Sequence, residues 1–199
     1  MFEFENQYKQ NGYKFIAGVD EAGRGPLAGP VCVACVIMPL DEDKIIEGIN
    51  DSKKLTEKKR DELYDKIIST AIAYKIHFVD EKVIDNINIL NATKEGMAFC
   101  INNMSCTPDI VLVDAVKDLK TDVECIPIIK GDAKSYSIAA ASILAKVSRD
   151  RLMLEYDKKY PQYAFAKHKG YGTKVHIEAL KKYGKCEIHR ESFIKNFVG

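Results

Sequence analysis

Short apolar runs recur along the first two thirds of the chain and predict five strands. The run 109–114, DIVLVD, is apolar up to its final Asp114, which is typical of a strand buried on both faces. The run 71–79, AIAYKIHFV, alternates apolar and polar residues, which favours a half-buried strand. By the same criteria, strands are expected at residues 14–20, 30–38, 71–79, 109–114 and 123–129.

Apolar stripes at helical spacing predict the helices. The longest, 135–160, has an alanine-rich first half that allows close packing against a sheet, and Pro161 follows its end. Other helices are expected at 56–70, 91–104 and 173–183. Early strands followed by strand–helix alternation indicate an α/β domain with a mixed sheet. We expect a core over residues 1–160 and a C-terminal helical extension over 161–199 within the same compact unit.

The composition is that of an ordinary soluble globular protein. The 199 residues are 46% hydrophobic and 30% charged, which suits one large domain with a sizeable core. No apolar run approaches the ~20 residues that span a membrane, and the N-terminus lacks the pattern of a secretion signal. We therefore expect a cytoplasmic protein without a membrane partner.

Cysteine usage does not indicate a redox or zinc site. Cys32 and Cys35 form a CxxC pattern, which in other contexts marks such sites. Here they lie in a predicted strand, where residues three apart point to opposite faces. Free, buried cysteines are the better interpretation.

Two predicted strands end on acids, and this pattern suggests a metal site. Asp20 and the adjacent Glu21 end the first strand, Asp114 ends the fourth, and Asp132 follows the fifth by a few residues. In open α/β sheets the carboxyl ends of strands bind ligands, and acids gathered there repel one another unless cations neutralise them. Carboxylates without His or Cys suit Mg²⁺ or Mn²⁺, and two such ions can carry in-line hydrolysis of a phosphate ester.

Positive charge is concentrated in the C-terminal part of the chain. Residues 146–185 carry eleven Lys or Arg and four Asp or Glu, a net charge of +7, although the whole chain has a net charge of only +1. A basic run alone is more often a solvated helix face. Together with an acidic cluster, it fits a metal-dependent enzyme that acts on a polyanion.

Five motifs resemble the bacterial ribonuclease HII family, the type 2 ribonucleases H. In chain order they are GVDEAGRGPLAGP, NDSKKLTEKKRDELY, VLVDAV, GDAKSYSIAAASILAKVSRDR and HKGYGT, and the resemblance runs from about residue 15 to 193. The glycine–arginine–glycine turn and the short segment before the first strand favour this family over ribonuclease HIII. The resemblance implies a ribonuclease H-like fold with a five-stranded mixed sheet flanked by helices and a helical C-terminal extension.

The same resemblance implies an activity and a substrate. It implies hydrolysis of the RNA strand of RNA–DNA hybrids, including single ribonucleotides in duplex DNA, with 3′-hydroxyl and 5′-phosphate ends and a role in ribonucleotide removal. The implied cofactors are two Mg²⁺ or Mn²⁺ ions. We expect a monomer, whereas the preferred ion and any protein partners stay open.

Residue by residue, the resemblance assigns a metal and catalytic set and a substrate set. The acids are Asp20, Glu21, Asp114 and Asp132. Asp150 is a competing fourth acid, but it is better interpreted as the partner of a neighbouring Arg. Asp20 and Glu21 can share one metal centre only if the strand bends there, which the following glycines permit. The substrate set comprises Gly23, Arg24 and Gly25 at the ribose 2′-hydroxyl and phosphate, Ser52, Lys53 and His168 at phosphates, and Tyr171 on the next deoxyribose.

Two functions of other classes compete with a nuclease. A hybrid-binding protein that has lost catalysis is disfavoured because the acidic set is intact. A phosphotransferase or phosphatase would usually show a nucleophile motif or a phosphate-binding GxxxxGK[ST] loop, and the sequence has neither.

Overall fold

A five-stranded mixed sheet forms the centre of the protein, as expected. The computed structural model describes residues 1–197, so residues 198 and 199 of the expected extension lie outside it. The strand order is β3-β2-β1-β4-β5, with β1 antiparallel to β2 and parallel to β4. The strands are β1 Ile16–Ala22, β2 Val31–Ile37, β3 Ala73–Val79, β4 Ile110–Asp114 and β5 Cys125–Ile128.

Helices surround the sheet, and two of the predicted helices are capped by the first residue of their expected range. The Thr56 and Thr173 side chains accept hydrogen bonds from backbone N–H groups in the first turns of α2 and α7. The expected helix 91–104 is only the second half of α3, which begins after Asp80 and kinks at Asn88, where φ is 67°. The helices of four or more residues are α1 Glu3–Gln10, α2 Glu57–Thr70, α3 Glu81–Asn102, α4 Gly131–Lys134, α5 Tyr136–Lys159, α6 Phe165–His168, α7 Lys174–Tyr183 and α8 Glu191–Ile194.

The two long helices cover opposite faces of the sheet. Helix α5 lies directly on β1: a Cβ added at Gly18 would come within 2.1 Å of the Ser137 carbonyl carbon, so only glycine allows this approach. Cys32 belongs to the core cluster under α5, whereas Cys35 belongs to the cluster under α3. The two cysteines are free and lie on opposite faces, as the strand pattern predicted.

The C-terminal helices pack against the segment that follows β1. Leu27 and Ala28 share a hydrophobic cluster with Phe165 and Leu180 of the extension. The Leu27 N–H donates to the Gly170 carbonyl at 2.8 Å, which brings two glycine-containing turns side by side. Within residues 1–197, no helix combines the length and apolarity needed to cross a membrane.

Candidate active site

Three carboxylates converge at the carboxyl ends of β1 and β4. These strands are parallel neighbours, with Val19 opposite Val113, so Asp20 and Asp114 follow at the same edge of the sheet. The Asp114 Oδ1 atom accepts a hydrogen bond of 2.7 Å from the Gly131 N–H, which attaches the end of β4 to the short helix α4. Helix α4 carries Asp132, and one oxygen from each of the three acids lies within 4.8 Å of the others.

Asp150 lies outside this cluster. Its Oδ1 atom accepts a hydrogen bond of 2.7 Å from Lys146 Nζ, one turn earlier on α5. The expectation of an Arg partner was therefore wrong, because residues four apart on a helix face each other and Lys146 occupies that place. Of the two competing acids, Asp132 is the one near Asp20 and Asp114.

Glu21 lies beside this cluster and close to Arg24. Strand β1 stays paired with β2 through Ala22, opposite Cys32, so Glu21 still belongs to the strand. The Glu21 Oε1 atom lies 3.5 Å from Arg24 Nη1. Its Oε2 atom is buried and has no hydrogen-bond partner. Glu21 therefore borders the three-acid cluster with one unused ligand atom.

Burial and mutual repulsion make this group of acids unfavourable without a cation. Burial, and then the charges of Glu21 and Asp114, raise the pKa of Asp20 well above its ordinary value. Burial also raises the pKa of Glu21, against the opposing effect of Arg24. For Asp114, burial and the nearby Asp132 charge raise the pKa, although the Gly131 N–H opposes the shift.

The donor set fits a hard divalent cation. All four acids offer carboxylate oxygens, which Mg²⁺ and Mn²⁺ prefer, and the orphaned Oε2 atom of Glu21 is a buried acceptor that a cation would satisfy. Lys53 supplies some positive charge, since its Nζ atom lies 3.5 Å from Asp132 Oδ2. Although partial burial lowers the pKa of Lys53, the attraction of Asp132, Asp20 and Asp51 outweighs it and the pKa is raised.

The turn after β1 is held from inside by buried arginines. Gly23 has a φ of 95°, and a Cβ there would lie 1.9 Å from Arg149 Nε, so this position requires glycine. Arg190 donates hydrogen bonds to the carbonyls of Gly23 and Arg24, at 2.6 and 2.8 Å. Because these carbonyls point inward, the outer surface of the turn is free to face a ligand.

Arg149 and Arg190 are functional-site residues that the sequence interpretation missed. Both are almost fully buried. Arg149 also donates to the Lys169 carbonyl at 2.9 Å, which joins the turn after β1 to the second glycine turn. Arg149 lies in the SRDR segment of the α5 motif, which was a usable signal, whereas nothing in the local sequence distinguishes Arg190.

One groove contains most of the expected substrate residues. Tyr171 is 46% exposed, and a Cβ added at Gly25 would lie 3.7 Å from its Cε1 atom, so the two turns meet across the groove. Ser52 lines the groove but is buried, with its Oγ atom 2.8 Å from Ser142 Oγ. The groove has a volume of about 230 Å³ and is lined by Glu21, Gly23, Arg24, Gly25, Ser52, Lys53, Ser142, Lys146, Arg149 and Tyr171, among others.

His168 does not point to this groove, which corrects the expected phosphate contact. It is 8% exposed, its Nε2 atom lies 2.9 Å from the Tyr163 carbonyl, and its Nδ1 atom accepts from the Gly170 N–H. Both ring nitrogens are therefore used inside the protein. The flanking Lys167 and Lys169 suggested an exposed imidazole, but tertiary packing buries the ring.

The sequence comparisons with known proteins agree on one family. The family model described as Ribonuclease HII matches residues 17–196. Ribonuclease HII of Acetivibrio thermocellus is 60% identical over 195 residues, which cover 98% of this chain and 75% of the relative. Ribonuclease HII of Caldicellulosiruptor bescii is 60% identical over 197 residues, covering 99% and 95%. The crystal structure of ribonuclease H2 from Pyrococcus horikoshii OT3 matches with a TM-score of 0.75 and 31% identity, covering 90% of this chain and 93% of that one.

Proposed function

This chain belongs to the ribonuclease HII family of metal-dependent endoribonucleases H, and we propose that it also cuts single ribonucleotides embedded in duplex DNA. The family activity is cleavage of RNA in RNA–DNA hybrids. We propose a two-metal hydrolysis that leaves 3′-hydroxyl and 5′-phosphate ends. Ribonucleotide removal during DNA replication and repair is the proposed role, with the cytoplasm as its location.

The convergence of Asp20, Asp114 and Asp132 is the observation that carries the proposal. Their oxygens lie within 4.8 Å of one another, and the unpartnered Oε2 atom of Glu21 borders them. We assign these four acids to metal binding. When bound, two divalent ions supply the positive charge that activates the attacking water and stabilises the leaving oxygen.

The remaining residues of the groove are assigned to the substrate. Gly23, Arg24 and Gly25 form the proposed reader of the ribose 2′-hydroxyl, the group that distinguishes RNA from DNA. The inward carbonyls of this turn support the assignment, because they leave its outer surface free. Arg24 and Lys53 are the proposed phosphate contacts, and the exposed ring of Tyr171 is proposed to pack on the following deoxyribose.

Ser52 has a supporting place in the proposed substrate site. Its hydroxyl is engaged with Ser142, which holds the segment that carries Lys53 against α5. The C-terminal extension, 161–199, is proposed to contribute to substrate binding through Tyr171. All of these residues come from one chain, which supports a monomer as the proposed working form.

An end-labelled DNA duplex with one embedded ribonucleotide tests the proposed function. With Mg²⁺ or Mn²⁺ we expect one cut at the ribonucleotide, with the stated ends, and no cut in chelator. The matched all-DNA duplex should stay intact, and a hybrid with a long RNA tract should also be cut. Cleavage of the long tract alone would refute the embedded-ribonucleotide activity.

Asp20→Asn provides the catalytic control for this experiment. It removes a proposed metal ligand but none of the basic groups, so cleavage should fall at least about a hundredfold while hybrid binding survives. Turnover equal to that of the parent would exclude Asp20 from the reaction.

A further inference from the structure

Three buried histidines lie together behind the proposed active-site groove. His168, His176 and His189 are 8%, 0% and 2% exposed. The rings of His168 and His176 stack with centroids 4.6 Å apart, and the His176 and His189 Nε2 atoms are 3.0 Å apart. None of the three contacts the acidic cluster, so metal binding does not explain why they are buried.

The hydrogen bonds determine which nitrogen of each ring carries the proton. The Cys186 N–H donates to His189 Nδ1 at 2.9 Å, a shorter contact than the 3.3 Å from Nδ1 to the Cys186 carbonyl, so we place the His189 proton on Nε2. His189 Nε2–H then donates to His176 Nε2, which leaves the His176 proton on Nδ1. His176 Nδ1–H in turn donates to the Tyr171 carbonyl at 3.0 Å. The bonds form one directed chain from Cys186 to Tyr171.

Both histidines in this chain of hydrogen bonds, His176 and His189, are neutral. Burial lowers the pKa of His176 to about 4, with the neighbouring His168 acting in the same direction. Burial, and then His176, lower the pKa of His189 to about 4. A second proton would place two donors against each other, at the Nε2–Nε2 contact if His176 took it and at the Cys186 N–H if His189 took it.

The chain of hydrogen bonds ends at the turn that presents Tyr171 to the groove. The Tyr171 carbonyl also accepts from the Thr173 N–H at 2.8 Å, and the Tyr171 N–H donates to the His168 carbonyl at 2.9 Å. In the part of the chain that the structure describes, no hydrogen bond holds the phenol itself. The hydrogen bonds that hold Tyr171 are therefore those of its backbone, which His176 anchors.

We propose that His176 and His189 are positioning residues that act through Tyr171. They hold the 170–172 turn so that the tyrosine ring faces Gly25 and the sugar of the substrate. This inference rests on the proposed role of Tyr171. It assigns the two histidines no contact with substrate or metal.

The ¹⁵N chemical shifts of the histidine rings, measured by NMR on the ¹⁵N-labelled full-length protein, test the chain of hydrogen bonds directly. At neutral pH we expect His176 as the Nδ1–H tautomer and His189 as the Nε2–H tautomer. The opposite tautomer at His176 would overturn the proposal, because the Tyr171 carbonyl would then have no imidazole donor. This measurement does not depend on activity, so its outcome is independent of the proposed function.

A double-mutant cycle on the embedded-ribonucleotide duplex tests action through Tyr171. Tyr171→Ala and His176→Phe should each lower kcat/KM about tenfold, mainly through KM, the size expected for one lost stacking contact. If His176 acts through Tyr171, the double variant should be no more than about twofold worse than Tyr171→Ala alone. The proposal would be overturned if the loss of kcat/KM in the double variant equalled the product of the two single losses, or if His176→Phe showed no loss.

Two further variants separate positioning from a loss of folding. His176→Asn keeps an N–H donor near the Nδ1 position and should restore activity to within about threefold of the parent. His77→Phe is the matched control, since His77 stacks on Phe99 at 4.1 Å on β3 and lies outside the chain of hydrogen bonds. If the parent does not cut this duplex, or if Tyr171→Ala cuts it as well as the parent, the proposed function fails. If only the His176 variants depart from their expected rates, the positioning proposal fails.

Discussion

At the scale of single residues, Asp20 shows how a site can be destabilising until a ligand arrives. Its raised pKa means that the folded protein prefers the neutral acid, whereas the unfolded chain has the ordinary value of 3.8. Without metal, the contribution of Asp20 to stability should therefore rise as the pH falls through the raised pKa, and should stop rising below 3.8. The ionised form weakens the metal-free protein at neutral pH.

Asp20→Asn should accordingly raise the melting temperature of the metal-free protein at pH 8. A gain of about 1 kcal/mol corresponds to roughly 2–4 °C in a chain of this size. The variant should also show a weaker pH dependence than the parent when both are unfolded in chelator. Asp61→Asn, a half-exposed acid on α2 paired with Arg151, is the control and should leave both quantities nearly unchanged. Identical curves for Asp20→Asn and the parent would contradict the argument.

The choice between Asp132 and Asp150 can be decided by the same conservative change. Asp132→Asn should lower cleavage at least about tenfold, because it removes one of the three converging carboxylates. Asp150→Asn removes only the partner of Lys146 and should stay within about threefold of the parent. Initial rates at saturating Mg²⁺ measure both, and a larger loss in Asp150→Asn would reverse the assignment.

Acids at strand ends were predictable from sequence, but the surroundings of single side chains were not. Asp20 and Asp114 end apolar runs, and parallel pairing of β1 and β4 brings any such residues to one edge. By contrast, the burial of His168 depends on its contact with the Tyr163 carbonyl, on its packing against Phe165 and His176, and on the fold of the whole extension. A local pattern of flanking lysines carries no information about that packing.

At the scale of elements, helix α1 was missed because its own sequence barely supports it. Glu5 is fully buried and accepts hydrogen bonds from Ser135 Oγ and the Ser137 N–H, at 2.6 and 2.9 Å. These partners lie about 130 residues away, at the beginning of α5. The first half of α3 was missed for a related reason, since the left-handed residue Asn88 interrupts its apolar periodicity.

Glu5→Ala should therefore destabilise the protein although it lies near the N-terminus. The loss leaves Ser135 and Ser137 without their acceptor, and leaving a buried donor unsatisfied costs about 2 kcal/mol. We expect a fall in melting temperature of roughly 4–8 °C. Glu3→Ala, in the same helix but exposed, should change it by less than about 2 °C. Equal effects of the two changes would show that the Glu5 contacts do not stabilise the fold.

At the scale of the whole molecule, two turns distant in sequence form one surface. Arg190 donates to carbonyls of the turn after β1, whereas Arg149 donates to the carbonyls of Ala28 and Pro30, just before β2, and to the carbonyl of Lys169. The motifs predicted that residues 23–25 and Tyr171 act together. They did not predict the buried guanidinium groups that join them, because an arginine in a charged segment normally indicates an exposed one.

Substrate affinity should depend on salt through the basic C-terminal block, although the net charge of the chain is only +1. Each phosphate contact contributes a slope of about −0.9 to the logarithm of the binding constant against the logarithm of salt concentration. Lys167→Gln, at an exposed position four residues before Tyr171, should reduce the slope by about one contact. Lys14→Gln is the matched control, because Lys14 is exposed at the opposite end of β1 from Asp20.

Hybrid binding, followed by fluorescence anisotropy in chelator, measures both slopes without cleavage. Equal slopes for Lys167→Gln and the parent would place the bound duplex away from the Tyr171 turn.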